Sequence, residues 1–394
     1  MADDPPSAIG NAHRQRPVNP ISPGVARTLV ARHPRGARQS HASTLLDLTG
    51  GQFLIAWFAG SHEGASDTRI WLTHGRPESF AEPRVVGDAP GPHWNPVLAH
   101  GPDGRIWLFF RRGPSIDSWT TWVCHSGDGG HTWDAPAELV PGEPSRGPVR
   151  QAPVHYRDWW VAPGSMEVWE PTPTWDCLVD LTRDGHHWQS AAVPLDHQAI
   201  RGAGAIQPAL IPGRTGQLIM LTRSSGGRVL RSATDDPRTW PPLEPCALPN
   251  NNSGLAAVAL PDGRIACVHN PATDDWGARC PLVAAISSDE GHTWQHWATL
   301  ENGQEPLAGA APGRAPAPAS GTGSAPASRA AQDNRAPQNA GAPQAAAATG
   351  VVTSGVGEYS YPSAVVVDDV LWVSYSWQRQ GIALAQIPVP EPGR

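Results

Sequence analysis

Every basic side chain in this 394-residue sequence is an arginine: there are 29, and no lysine. That excludes a Schiff-base lysine, a phosphate-gripping P-loop lysine and any mechanism built on an amine side chain. Sixteen histidines bring titratable rings close to neutral pH,. None falls in H-E-x-x-H or another close ligand pair apart from His186-His187, so no metal site is expected,. Cys124, Cys177, Cys246, Cys267 and Cys280 are odd in number, widely spaced and free of C-x-x-C, and read as reduced core thiols,. No glycine-rich loop follows a strand and opens a helix, so no nucleotide cofactor is expected either. Arginine, histidine, tyrosine and the carboxylates are the groups that carry candidate chemistry. Beside them stand 18 tryptophans, against only 4 tyrosines and 5 phenylalanines, whose flat faces can plug seams or stack on sugar rings,.

The elements that must position these groups repeat. Phe80, Trp133, Trp188, Trp240 and Trp294 follow one another at 53, 55, 52 and 54 residues. Two close the same local pattern, Ser126-Gly-Asp128-Gly-Gly130-His-Thr-Trp133 and Ser287-Ser-Asp289-Glu-Gly291-His-Thr-Trp294, and the stretches ending at Trp188 and Trp240 are worn copies. S-x-D-x-G-x-T-W suits a tight turn in which Asp caps the backbone, Gly takes a positive φ and Trp plugs a seam. Short apolar runs precede the marker aromatics at Gly51–Phe58, Gly104–Phe110, Asp158–Ala162, Gly216–Leu221 and Gly263–Val268, and a last one lies at Val370–Tyr375. We read these as six inner strands. A period of about 50 residues with several short strands per repeat means an all-β, six-bladed β-propeller. A strand near Ala26–Ala31 would close it against the last blade.

We expect a flexible segment over residues 1–24, a propeller over 25–390, and a disordered insertion over 303–357, which is rich in Ala, Pro, Gly and Ser and has no aromatic residue,. The net charge of −7, without basic clusters among aromatics, argues against nucleic acid,. The longest apolar runs are strand length, which argues against a membrane span. Met1-Ala-Asp-Asp-Pro-Pro-Ser lacks an apolar core, so no signal peptide is visible and a cytoplasmic location is expected,. Oligomeric state is not readable.

The S-x-D-x-G-x-T-W turn is the Asp-box, and the chain resembles the sialidase (neuraminidase) superfamily and its BNR repeat-like branch over about residues 25–302 and 358–390. The resemblance implies a glycosidase in which three arginines hold the substrate carboxylate. A tyrosine activated by a glutamate is the nucleophile, and a carboxylic acid protonates the leaving oxygen. Carried over position by position, it puts Arg223 and Arg279 on the carboxylate, Tyr361 as nucleophile with Tyr359 beside it, and Glu63 or Asp67 as acid. Two positions depart: His41 stands where the first arginine belongs, and Gln207 where the glutamate belongs. Arg150 could replace the missing cation and Glu167 the missing base, and Trp94 could stack on a sugar.

A neutral glutamine cannot take a proton from a phenol of ordinary acidity. The expected function is a sialidase-like exo-glycosidase acting on a terminal carboxylated sugar. A second reading is a uronate lyase, in which the arginines acidify the C5 proton and His41 or Tyr361 removes it. A third is a carbohydrate-binding propeller that kept the pocket and lost the base. The partner in each case is a carbohydrate bearing a carboxylate.

Overall fold

The computed structural model describes residues 19–34, 36–307 and 357–392. The regular structure among them is strand, apart from a single 3-10 turn at Ile116–Ser118, and it forms six antiparallel sheets. Blade I runs Gln39–Leu48, Gln52–Gly60, Arg69–Arg76 and Ser79–Phe80, with Arg84–Val86 also pairing its third strand. Blade II is His93–His100, Ile106–Arg112, Thr120–Ser126 and Ala137–Glu138; blade III is Val154–Tyr156, Trp159–Val168, Thr174–Thr182 and Gln189–Ala192. Blade IV is Ala205–Pro212, Leu218–Ser224, Arg228–Thr234 and Glu244–Pro249; blade V is Ala256–Ala259, Ile265–His269, Leu282–Ser287 and Gln295–Glu301. Blade VI takes Tyr359–Val367, Val370–Trp377 and Gly381–Pro388 from one end of the chain and Ala26–Arg32 from the other. The fold is a six-bladed β-propeller whose ring is shut by pairing Ala26–Arg32 with Gly381–Pro388.

The apolar runs read as inner strands are in fact the second strand of each blade. The first strands lie nearest the axis: that of blade I touches those of II and VI, and that of V touches those of IV and VI. A second strand is hydrogen-bonded on both edges and covered by neighbouring blades on both faces, so it reads as a continuous apolar stretch, as in Phe53–Ala59 or Leu218–Leu221,. First strands must also face the axis, and they carry buried polar residues there, such as Ser40, His41, Ser43 and Thr44. That polarity hid them from a search for hydrophobic runs.

The rim turns hold as their chemistry dictates. Asp128 accepts from the Thr132 amide at 2.8 Å and its hydroxyl at 2.6 Å, and Trp133 Nε1 donates to Gly130 O at 3.0 Å. Asp289, Thr293, Gly291 and Trp294 repeat the set at 2.8, 2.6 and 3.0 Å. These bonds hold the Asp289 carboxyl below the ordinary range even though burial opposes them,. Ring closure is reinforced by a buried ion pair, Arg27 with Glu301, whose other oxygen accepts from Tyr375 at 2.9 Å.

The edges of the two segments expected to be flexible are packed. Ser22 N donates to Thr299 O, Asn302 Nδ2 donates to Asn19 O, and Leu307 is buried in the core between blades V and VI. The remainder of both, residues 1–18 and 308–356, lies outside the described residues.

Candidate active site

Each first strand carries one non-glycine residue in the left-handed region close to the axis or at the loop leading into it. These are Ala42, Asn95, Arg150, Gln207, Asn252 and Tyr361, with φ between 44° and 70°. Such backbone is uncommon for residues with a Cβ and costs energy that the surrounding fold must offset. In blades I, II, IV and VI it coincides with a slip in the ladder, as between Ile206 and Ala209 or Ser360 and Ser363. A bulge re-aims side chains, and here it turns Asn95, Gln207 and Tyr361 into one axial cleft of about 610 Å³, counting the space open to solvent,.

Three guanidiniums meet in that cleft around Tyr361. Arg223, near the end of the second strand of blade IV, donates from Nη1 to Tyr361 Oη at 2.7 Å and to Gln207 Oε1 at 3.3 Å, and from Nε to Asn252 Oδ1 at 2.6 Å. All these partners are neutral, although Arg223 is buried. Arg279, from the loop between the second and third strands of blade V, lies 5.4 Å from the Tyr361 ring and binds Glu358 at 2.7 Å. Arg379, in the hairpin after the second strand of blade VI, grips Glu358 from Nε at 3.0 and 3.1 Å and Glu63 from Nη1 at 2.7 Å. Burial alone would raise the Glu358 carboxyl, but Arg379 and Arg279 together pull it down to about 2,. Burial likewise works against the Arg379 charge, and Glu358 and Glu63 more than restore it.

Arg379, which lines the cleft, and Glu358, which pairs with it and with Arg279, are not among the site residues that the sequence suggests. The resemblance puts the third arginine at His41, in the first strand of blade I, with Arg150 as its replacement, and neither position points to the hairpin that carries Arg379. Space brings that hairpin beside His41, since Ser40 N donates to Arg379 O at 2.8 Å. For Glu358 the usable signal was the recurrence of Asn95-Pro96, Gln207-Pro208 and Tyr361-Pro362 near the start of the first strands of blades II, IV and VI, which marks the axial end of those blades.

His41 lies beneath this floor. Its ring is 4.3 Å from that of Tyr361 and both its nitrogens are buried without a hydrogen-bond partner. Burial first, then the charges of Arg379, Arg279, Arg150 and Arg223, push its pKa well below the ordinary value, so the imidazole is neutral at pH 7. Arg150 is also below the cleft. From the strand-entry loop of blade III its Nη2 reaches across the axis to Ser43 O and Tyr361 O, both at 3.1 Å, with the guanidinium 5.2 Å from the Tyr361 ring. Tyr359 points away into the core, where its hydroxyl accepts from Gln378 at 2.6 Å.

The carboxyls divide as well. Glu63 and Glu167 line the cleft, but Asp67 does not: it accepts from the Ser61 amide and hydroxyl, and those bonds outweigh partial burial to keep its pKa low. Trp94 lines the cleft while remaining buried edge-on to Trp119, at 5.7 Å. Trp169 and Trp276 line it as well, each edge-on to Trp175, and Asp117 accepts the Trp169 amide at 3.1 Å. The assembled cleft has a cationic floor centred on a phenol, indole walls, and carboxyls at its margin. Among the described residues no group of three His, Cys, Asp or Glu side chains is placed to hold a metal.

Residues 51–373 match the BNR repeat-like domain family. No curated protein matches the chain. Among solved structures, a protein of unknown function from Dyadobacter fermentans is 13% identical, with a TM-score of 0.66 over 94% of this chain and 100% of its own. The Penicillium chrysogenum α-L-arabinanase complexed with arabinobiose is 12% identical, with a TM-score of 0.62 over 93% of this chain and 98% of its own. Trypanosoma rangeli sialidase in complex with sialic acid is 12% identical, with a TM-score of 0.60 over 94% of this chain and 60% of its own. At these identities the likeness is one of fold.

Proposed function

Because the chain belongs to the BNR repeat-like domain family, whose fold it shares with glycoside-cleaving propellers, we propose that it is a sialidase-like exo-glycosidase acting on a terminal carboxylated sugar. The observation that carries this reading is Arg223: a buried guanidinium in a cleft, hydrogen-bonded only to neutral groups. A buried cation of this kind is stabilised by an incoming anion. Arg279 and Arg379 converge with it, giving a carboxylate three donors. A neutral arabinose unit, the ligand type of the arabinanase neighbour, has no charge to answer them.

In this reading Tyr361 is the nucleophile. Its oxygen bonds to the anomeric carbon as the bond to the leaving oxygen breaks, the tyrosine variant of retaining glycoside hydrolysis. Gln207 cannot accept the phenolic proton, so Glu167 takes it from the third blade. Glu63 is the carboxyl on the opposite margin for the leaving oxygen. Trp94 and its indole neighbours flank the sugar. Arg150 acts through Tyr361 by fixing its backbone carbonyl.

The lyase reading draws on one observation, the neutral imidazole of His41 against Tyr361. A binding-only propeller draws on Gln207. Incubating the protein with sialosides, uronic-acid oligosaccharides and arabino-oligosaccharides separates the three. Free sialic acid is the expected product. Ultraviolet absorbance from an unsaturated uronate would establish the lyase, arabinose release would remove the carboxylate requirement, and binding without turnover would leave a lectin-like protein.

A further inference from the structure

The four blades with S/T-x-D turns act as internal controls for one another at the outer rim. Ladder pairing aligns them, because Ile106, Trp160, Leu218 and Ile265 pair with the opening residues Ser126, Thr182, Thr234 and Ser287. The residue just before each is Arg105 in blade II, Gln217 in blade IV and Arg264 in blade V, but Trp159 in blade III. The residue after the opening Ser or Thr is Gly127, Asp235 and Ser288, but Arg183 in blade III. The residue before the closing tryptophan is Thr132, Thr239 and Thr293, but His187 in blade III.

These three departures fall on one spot. Trp159, Arg183 and His187, with Asp184, Trp188 and Gln189, line a rim pocket of about 520 Å³, counting open space. The Arg183 guanidinium lies 4.1 Å from the Trp159 ring centre. Trp188 is held by its Nε1 bond to Gly185 O at 3.2 Å and by Trp160, 5.9 Å away. His187 Nδ1 meets Asp184 Oδ2 at 2.6 Å, and that contact raises the His187 pKa. A turn that only needed to close would use the small and polar residues of its sister blades. Blade III has replaced them with an indole, a guanidinium and an imidazole, set beside the closing indole of Trp188 that all four turns share.

We propose that this pocket is a second carbohydrate site, taking a segment of an acidic glycan chain. Indole faces stack on the apolar faces of pyranose rings, and Arg183 and His187 answer carboxylates projecting from them. The strand that begins at Trp159 passes Glu167 in the axial cleft eight residues later, about 26 Å away at strand spacing. The two sites are therefore occupied independently, one holding the chain and the other its terminus. The acidic character of the ligand rests on the proposed function; the existence of the site rests on the rim residues alone.

The test is affinity electrophoresis of the whole protein in gels containing polysialic acid, polygalacturonate or neutral dextran. The expected result is retardation by an acidic polymer. It should weaken about fivefold or more, the scale of one cation–π or stacking contact, in Trp159→Gln and Arg183→Ser, which install residue types that sister blades carry. It should persist in Arg223→Ala. Unchanged retardation in the double rim variant, no retardation of the unaltered protein, or complete loss in Arg223→Ala would each overturn the rim site. Equal retardation by dextran would overturn the acidic class of the ligand. Failure of the proposed function reads differently, as absent turnover with rim-dependent retardation intact.

Discussion

The rim and the axis of this propeller repeat in opposite ways. At the rim, the turns ending at Trp133 and Trp294 share both geometry and sequence, because the same Asp, Gly and Trp atoms make the same bonds. At the axis the geometry also recurs, one left-handed residue per blade, but the residues are Ala42, Asn95, Arg150, Gln207, Asn252 and Tyr361. A turn stabilised by its own side chains must keep them. A bulge stabilised by the ladders on either side of it leaves its side chain unspecified, and that freedom is what a site can use. Rim residues should therefore govern stability, and axial residues activity.

The sharpest break of that division would come from Tyr361→Phe. It should abolish turnover on the cognate sugar while the melting temperature stays put, because the hydroxyl bonds only Arg223. A large loss of stability would move Tyr361 into the structural class. Gln207→Glu sharpens the comparison in the other direction. A carboxylate beside Arg223 and Tyr361 should raise kcat on sialosides by less than about 10²-fold, the scale of full general-base help, because Glu167 already takes the phenolic proton, with a higher KM because it competes for Arg223. Steady-state kinetics read both.

On the rim, Trp240→Ala should destabilise the protein by about 3–5 kcal/mol, since Trp240 is buried in the core between blades III and IV. Chemical denaturation measures this, and activity per folded molecule should be unchanged.

Acid separates the regions as well. Near the axial ends of the strands, burial pushes His93 and His269 down to about 4, and His41 lower than usual. As pH falls from about 6.5 towards 4, the unfolded chain takes up protons that the folded one refuses. Stability should drop across that window, by up to about 1.4 kcal/mol per pH unit for each such group. Rim aspartates such as Asp289 have lowered values and lose their contribution only below the ordinary carboxylate range. A melting-temperature series should show the histidine phase first. The smallest effect is expected at Asn95, where φ is 44°: Asn95→Gly should stay within about 1 kcal/mol, and Asn95→Val should cost about 1–2 kcal/mol more.

The same contrast explains what was legible. The rim motif and the apolar second strands announced themselves, so blade number and the closing strand Ala26–Arg32 could be read from the chain. The order of strands within a blade could not, because first strands owe their place to contacts around the axis and not to their own hydrophobicity. Arg223, Arg279 and Tyr361 were found and do meet in the cleft. Arg379 was not, since nothing in Trp377-Gln-Arg-Gln380 reveals that a hairpin will carry it to the place beside His41. Asp67 and Arg150 were placed by resemblance to the family's pattern, and the fold sends one to cap Ser61 and the other under the floor.

Blade VI holds Glu358, Tyr361 and Arg379 on its axial side and the strand Ala26–Arg32 on its outer edge. The sheet that supplies the phenol and one guanidinium of the cleft is thus the one sewn from both ends of the propeller. During synthesis the first five blades can pack in turn, yet the cationic floor has no phenol and one guanidinium too few until the last hairpin arrives and the early strand docks beside it. Competence and completion of the ring are a single event, so a chain stalled short of its final strands should be well packed over much of its length and unable to grip its ligand.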